Sequence, residues 1–437
     1  MEVRDPVHGS VHILEEETPV IRDDFFQRLR NIKQLGFSEY VFPGATHSRF
    51  IHSIGVMNIG TKAFDKLFPD KLNDSEFLRL KQTLKMGCLL HDIGHAPLSH
   101  STEIVMPQVS ELKIPDEFVS KGDKSRDRQA THEDYTIKAI ADSNFADSFK
   151  LLEKKFGITR KHIADLIVGE TTDPDYFTIG GVNYFPLFHQ LVSSELDCDR
   201  MDYLQRDSYF CGVSYGQYDL DWLLDNLDVC KIDGKAFLGI NERAVVTFDD
   251  FLLSRYHMFI MVYFHYRSVC LEQLLYKYFM SSPDEYRIPA DIEKYIEHDD
   301  HHLLKIMRSS KSKYAQAIVK NKIPQKIFES FNEIQLLKLK RIQQYLDEKN
   351  IDYIRSSSSS RLSKYYGEEA PKKDPDKYSM KVVRKQFGSK APTYSEIDQV
   401  SDLFLKFSES HAVNRIHCEF EELDQATQSD LLALINN

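Results

Sequence analysis

The run Met86-Gly87-Cys88-Leu89-Leu90-His91-Asp92-Ile93-Gly94-His95-Ala96-Pro97-Leu98-Ser99-His100-Ser101-Thr102-Glu103 sets three histidines and two carboxylates directly behind an apolar lead-in. His91 and Asp92 are adjacent and His95 follows His91 by four residues, so one helical turn would project them from one side. The apolar residues ahead of them predict burial. A buried carboxylate is costly unless it is paired, hydrogen-bonded or bound to metal, and a divalent cation satisfies several of these groups together. His100 and Glu103, three residues apart, can form a pair in which the carboxylate orients the imidazole and raises its basicity. A lone His-Asp dipeptide is most often a hydrogen-bonded pair at a helix end; the density of ligand types here argues for chemistry.

Such groups need a frame. Asp5-Pro6-Val7-His8-Gly9 followed by alternation predicts a short extended piece or a hairpin. Asp23-Asp24 starts a helix with Phe25, Leu29, Ile32 and Leu35 on one stripe, and Pro43-Gly44 makes 40–46 a loop. Helices are expected from His52 to about Pro69, from Ser75 to about His91, from His132, and over 163–168. A single helix from Leu187 through Tyr209 carries Asp199. The polar stretch 107–131 reads as a mobile loop over the site. Residues 236–240 and 244–248, flanking Asn241-Glu242-Arg243, read as a hairpin, and 251–280 as one long aromatic-rich helix.

Further on, Glu297-His298-Asp299-Asp300-His301-His302 reads as a solvated turn, and Ser356 to Ser360 as a flexible spacer. The stretch with Lys364, Lys372, Lys373, Lys377, Lys381, Arg384, Lys385 and Lys390 reads as a solvated basic loop. The expected division is a core over 1–280, a helical extension over 281–355, a flexible basic segment over 356–390 and a small C-terminal α+β lobe over 391–437.

The chain has 437 residues, 42% of them hydrophobic and 28% charged, which is ordinary globular composition. A formal charge of −11 disfavours a surface that embraces nucleic acid, although a local basic patch can persist within it. The cysteines Cys88, Cys198, Cys211, Cys230, Cys270 and Cys418 share no repeated spacing and read as reduced thiols of a cytoplasmic protein. No apolar run reaches membrane length, so the expectation is a protein without a membrane partner.

His52 in Arg49-Phe50-Ile51-His52-Ser53-Ile54-Gly55-Val56, then His91-Asp92, then Asp199 in Glu195-Leu196-Asp197-Cys198-Asp199-Arg200-Met201-Asp202-Tyr203 follow the order of the HD-domain phosphohydrolases. Phe26 to Gly36, Val41 to Arg49 and His91 to His100 resemble more narrowly the deoxynucleoside triphosphate triphosphohydrolase branch, in its bacterial form without a sterile-alpha-motif domain. The likeness is dense from about Asp5 to Leu275 and thin afterwards. It implies a mainly α fold, an HD-domain helical core with small β-hairpin additions and the α+β lobe.

It also implies a homo-oligomer, dimer or tetramer, with a regulatory nucleotide near the N-terminal hairpin. One divalent metal per subunit, manganese, iron, zinc or magnesium, would sit on His52, His91, Asp92 and Asp199. The implied reaction is hydrolysis of a deoxynucleoside triphosphate to deoxynucleoside and triphosphate by water attack at the α-phosphorus. His100 with Glu103 would be the acid/base pair, with His95 and His132 as donors to phosphate. Arg49, Arg200 and Arg255 match phosphate-contacting positions; Gln34, Tyr203 and Asp207 match those that read the 3′ hydroxyl. Leu35 matches the residue that crowds out a 2′ hydroxyl and Tyr263 one stacked on sugar or base. Arg200 stands where lysine is common, and Phe264 and Arg22 depart from the vertebrate branch near the substrate base and the regulatory site. The competing readings are another HD phosphohydrolase, acting on nucleoside monophosphates, cyclic nucleotides or alarmones, and a non-catalytic nucleotide sensor or nucleic-acid-binding scaffold.

Overall fold

The computed structural model describes residues 1–119, 126–331, 333–360, 380–385, 388, 391–406 and 411–436. Its centre is a pair of packed helices, Arg49–Leu67 and Ser75–Leu90. Asp74 starts the second by accepting hydrogen bonds from the backbone N–H groups of Glu76 and Phe77, which removes two of the donors a helix start leaves unpaired. From Thr83 to Leu90 that helix is buried on every side, as the apolar lead-in required. One face joins a cluster with Phe25, Phe26, Leu29, Met86, Leu89, Tyr135 and Leu271, and the other a cluster with Val56, Phe64, Leu84, Phe188, Met201 and Leu204.

Where one helix was expected over 187–209 there are two, Phe185–Val192 and Cys198–Cys211. The break follows from Asp197, whose carboxylate accepts from the Arg200 backbone N–H at 2.8 Å and opens a new helix. The expected long helix over 251–280 is likewise two, Val245–Met258 and Tyr266–Ser281, joined through a π-helical turn Phe259–Tyr263.

The expected hairpin around Asn241 is displaced. Strands Leu227–Ile232 and Lys235–Asn241 pair antiparallel across Asp233-Gly234, both with positive φ, while 245–248 are helical. That dipeptide is the turn that two tightly paired strands favour. The strand Lys235–Asn241 also pairs in parallel with Lys381–Arg384, which pairs with Thr393–Glu396. The N-terminal hairpin forms as expected, Glu2–Asp5 against Gly9–His12.

Ser356 to Ser360 is no spacer: Tyr353–Ser360 is a strand beside His411–Cys418, which pairs in turn with Gln325–Ser330. Ile354, Ser356 and Ser358 are buried and alternate with exposed neighbours, so the serines are the small residues of a covered sheet face. Of the basic loop, Lys381 pairs with Glu396, Arg384 with Glu242 and Lys385 with Asp228, so these cations serve strand neighbours. Lys364, Lys372, Lys373, Lys377 and Lys390 lie outside the described residues. Within the described residues, strands of 325–360 share a sheet with 411–418, and strands of 381–396 share one with Lys235–Asn241.

The stretch 107–131 is in part core. Val109, Leu112, Ile114, Phe118 and Ala130 are buried in the first cluster, and 120–125 lie outside the described residues. Among the described residues, no helix is long and apolar enough to cross a membrane.

Candidate active site

His52 comes from the first central helix, His91 caps the end of the second, Asp92 lies in the following turn and Asp199 in the first turn of Cys198–Cys211. One ligand atom from each can be chosen so that all lie within 4.8 Å of one another. His52 Nε2 is 3.0 Å from Asp199 Oδ1 and 3.7 Å from Asp92 Oδ2. His91 Nε2 is 3.4 Å from Asp92 Oδ1 and 3.5 Å from Asp199 Oδ1.

The opposite ring nitrogens fix the tautomers. His52 Nδ1 lies 2.8 Å from Asp202 Oδ2 and His91 Nδ1 2.9 Å from the Cys88 carbonyl, both acceptors, so each Nδ1 carries the hydrogen. Each Nε2 then turns a lone pair toward carboxylates, and both are buried without an aligned hydrogen-bond partner. Lone pairs facing carboxylates repel unless a cation lies among them. Protons answer the same demand where no metal does: against burial, Asp199 and Asp202 push His52 up to about 9, and Asp92 and Asp199 push His91 up to about 10. Burial likewise works to raise Asp92 and Asp199, yet the histidines hold both well below the usual carboxylate range. Two imidazole nitrogens and two carboxylates that together demand positive charge fit a divalent metal.

Asp202 was missed by the sequence reading, although it sits three residues from Asp199 on one helix face. Besides His52 it accepts from Arg206 Nε at 2.7 Å and Nη2 at 2.9 Å, and His8 Nε2 lies 2.5 Å away. Arg206 Nη1 reaches Asp5 Oδ2 at 2.9 Å, so the N-terminal hairpin is moored to the same carboxylate. Only glycine fits at position 55, where a Cβ would lie 2.0 Å from Asp202 Oδ1.

A second cluster adjoins the first. His95, His100, Glu103 and His132 also present ligand-type atoms within 4.8 Å of one another. His95 and His132 stack with centroids 3.9 Å apart, and His95 Nε2 is 3.3 Å from Asp92 Oδ1. Glu103 Oε1 is 2.5 Å from His132 Nδ1 and 3.2 Å from His100 Nδ1, so the expected His100–Glu103 pair is a trio with its shorter bond to His132. His100 lies on the 3-10 turn Ser99–Val105 and is two-thirds exposed, at 66% for its side chain. Burial, then Arg49 and His132, hold His95 well below the usual imidazole range, so it is neutral. Burial pushes Glu103 up, but His100 and His132 more than reverse it, and the group stays ionised.

Each expected phosphate arginine already faces an acid. Arg49 Nη1 donates to Asp92 Oδ2, Arg200 Nη1 donates to Asp197 Oδ2 at 2.9 Å, and Arg255 Nη1 is 3.5 Å from Glu195 Oε2. Arg49 also reaches Ser99 Oγ from Nε at 3.1 Å and Nη2 at 2.9 Å. Asp207 accepts from the Tyr263 hydroxyl at 2.7 Å and lies 2.8 Å from His47 Nε2, a buried residue the sequence reading passed over inside Thr46-His47-Ser48. Gln34 donates its backbone N–H to the His47 carbonyl at 3.0 Å, and its buried side-chain oxygen has no partner. Leu35, Tyr203 and Tyr263 are half-buried against the second apolar cluster, with the two tyrosine rings 6.2 Å apart.

The HD domain family model matches residues 49–206, the span that holds both clusters except the N-terminal anchors. A protein from Mycoplasma pneumoniae is 31% identical over 290 residues, 64% of this chain and 60% of its own length. One from Bacillus subtilis is 32% identical over 277 residues, 63% of this chain and 54% of its own. The human deoxynucleoside triphosphate triphosphohydrolase SAMHD1 is 25% identical over 372 residues, 78% of this chain and 56% of its own. The chain thus spans little more than half of the curated relatives it matches. A crystal structure of a hypothetical protein from Aquifex aeolicus superposes with a TM-score of 0.71 at 25% identity, covering 99% of both chains. Residues 49–206 thus form an HD domain, and the chain is homologous to the SAMHD1 deoxynucleoside triphosphate triphosphohydrolases.

Proposed function

We propose that the chain is a metal-dependent phosphohydrolase that cleaves deoxynucleoside triphosphates into deoxynucleoside and inorganic triphosphate. The observation that carries this reading is the convergence of two imidazole nitrogens and two carboxylates within 4.8 Å, beside a second histidine–glutamate cluster. A divalent metal held by His52, His91, Asp92 and Asp199 would supply Lewis acidity to a phosphoryl oxygen and lower the pKa of bound water.

The chain's own groups do the rest. Glu103 orients His100 and His132 through their Nδ1 atoms, leaving each Nε2 to meet substrate or water. His100, exposed at the rim, exchanges its proton with solvent and acts as acid/base toward the leaving 5′ oxygen. Neutral His95 and the His132 ring stacked on it flank the phosphate path. Arg49, Arg200 and Arg255 offer positive charge to a polyanion, and Asp207, held by His47 and Tyr263, with Gln34 and Tyr203 reads the deoxyribose while Leu35 limits space at its 2′ carbon.

A second reading is a smaller phosphate ester such as a nucleoside monophosphate, favoured by the acids already facing all three arginines. Incubating the protein with manganese and each deoxynucleoside triphosphate separates the two. Deoxynucleoside plus intact triphosphate is expected; release of single phosphate from a monophosphate, with the triphosphates untouched, removes the first reading.

A further inference from the structure

We propose that Asp300 is a positioning residue for this site, holding the Leu98–Ser99 turn in a left-handed conformation so that Ser99 fixes the Arg49 guanidinium. This rests on the reading above for what the site does. Asp300 lies about two hundred positions from the turn, at the start of the helix Asp300–Ser309, within the polar run 297–302 that the sequence offers as a solvated turn. It is instead buried, at 2% exposure.

Its Oδ1 accepts from the Leu98 backbone N–H at 2.7 Å and its Oδ2 from the Lys33 backbone N–H at 2.9 Å. Leu98 and Ser99 are consecutive non-glycine residues at φ 55° and 59°, a conformation that costs each about 1 kcal/mol or more and persists only where its surroundings enforce it. Ser99 Oγ then accepts from Arg49 and donates to the Lys33 carbonyl at 3.1 Å, so one carboxylate spans both sides of the arginine's support. Two further contacts from the same segment grip the loop: Tyr295 donates its hydroxyl to the Gly94 carbonyl at 2.8 Å, and Arg28 bridges the carbonyls of His298 and His95. Burial pushes Asp300 up to about 6, against the two backbone donors and the Lys33 charge, so a carboxylate is kept here at a cost to stability. A residue serving packing alone would be better apolar.

The test uses the full chain loaded with manganese. Asp300→Asn leaves one acceptor for two N–H groups; Ser99→Ala removes the hydroxyl at the other end. Metal content per chain is expected to match wild type in both, with kcat/KM for a deoxynucleoside triphosphate down at least tenfold. Hydrogen exchange at Leu98 and Lys33 should accelerate in Asp300→Asn, and the double variant should be no worse than the poorer single one. Multiplying losses, unchanged exchange at the two amides, or kcat/KM of either folded variant within twofold of wild type overturns the proposal. Should Asp300→Asn not fold, Ser99→Ala alone decides by the same limit. A wild type that releases no triphosphate sinks the functional reading instead. In that case metal content and amide exchange still decide whether Asp300 holds the turn.

Discussion

Asp202 Oδ2 lies 2.8 Å from His52 Nδ1, on the edge of the ring opposite the nitrogen that faces Asp199. The carboxylate therefore fixes which tautomer His52 presents, and partners of this kind change metal affinity by about 10–100-fold when removed. Asp202→Asn is expected to weaken manganese binding by at least tenfold, read by competition with a chelating dye, whereas Asp199→Ala abolishes it. Equal affinity in Asp202→Asn and wild type would detach that carboxylate from the centre.

Glu103 shares one oxygen between two imidazoles, so its loss should free both rings at once. Glu103→Gln is expected to lower kcat by about 100-fold, the scale of positioned acid–base catalysis, with metal content unchanged. His100→Ala should fall in the same range. Steady-state rates alongside elemental analysis check both.

Gly55 admits the Asp202–Arg206 pair against the first central helix, and a methyl group there would overlap Asp202 Oδ1 and Arg206 Nη2. Overpacking of this kind costs about 1–3 kcal/mol. Gly55→Ala should lower the urea midpoint accordingly and weaken metal binding with it, since the displaced carboxylate is the one that holds His52.

Asp352 receives Lys277 Nζ at 2.7 Å and Lys313 Nζ at 2.6 Å, tying the strand Tyr353–Ser360 to the helices beneath it. Burial works to raise it, but the hydrogen bonds and charges of the two lysines together outweigh that and bring it down to about 2. A depressed carboxylate contributes stability above its unfolded value near 4 and loses it as pH falls toward 2. The group is half exposed, so solvent screening limits the contribution to about 1 kcal/mol. Urea titrations should give Asp352→Asn a deficit of that size at pH 6 that closes as the pH is lowered from 4 toward 2.

The candidate metal cluster is legible in the sequence because its pieces are local: an apolar lead-in to His91-Asp92, and an acidic first turn around Asp199. The supports are not. His47 reaches Asp207 across 160 positions and Asp300 reaches Lys33 across 267, separations that leave no periodicity to read. The break of the long aromatic helix was hidden for a different reason, since a π turn leaves hydrophobic content unchanged while shifting every later side chain around the axis. The displaced hairpin is a plainer case: Asp233-Gly234, a dipeptide suited to a tight turn, places the reversal ahead of Asn241.

The parallel pairing of Lys235–Asn241 with Lys381–Arg384 has a consequence for anyone who trims this protein. A fragment stopped after residue 360 would keep every proposed metal ligand and both histidine clusters, yet bare the hydrogen-bonding border of Lys235–Asn241 beside Leu238 and Ile240. Exposed borders of that kind recruit other copies of themselves. Such a minimal catalytic unit should therefore precipitate while the intact chain stays dispersed, making the distal strands a guard on the catalytic half's colloidal behaviour.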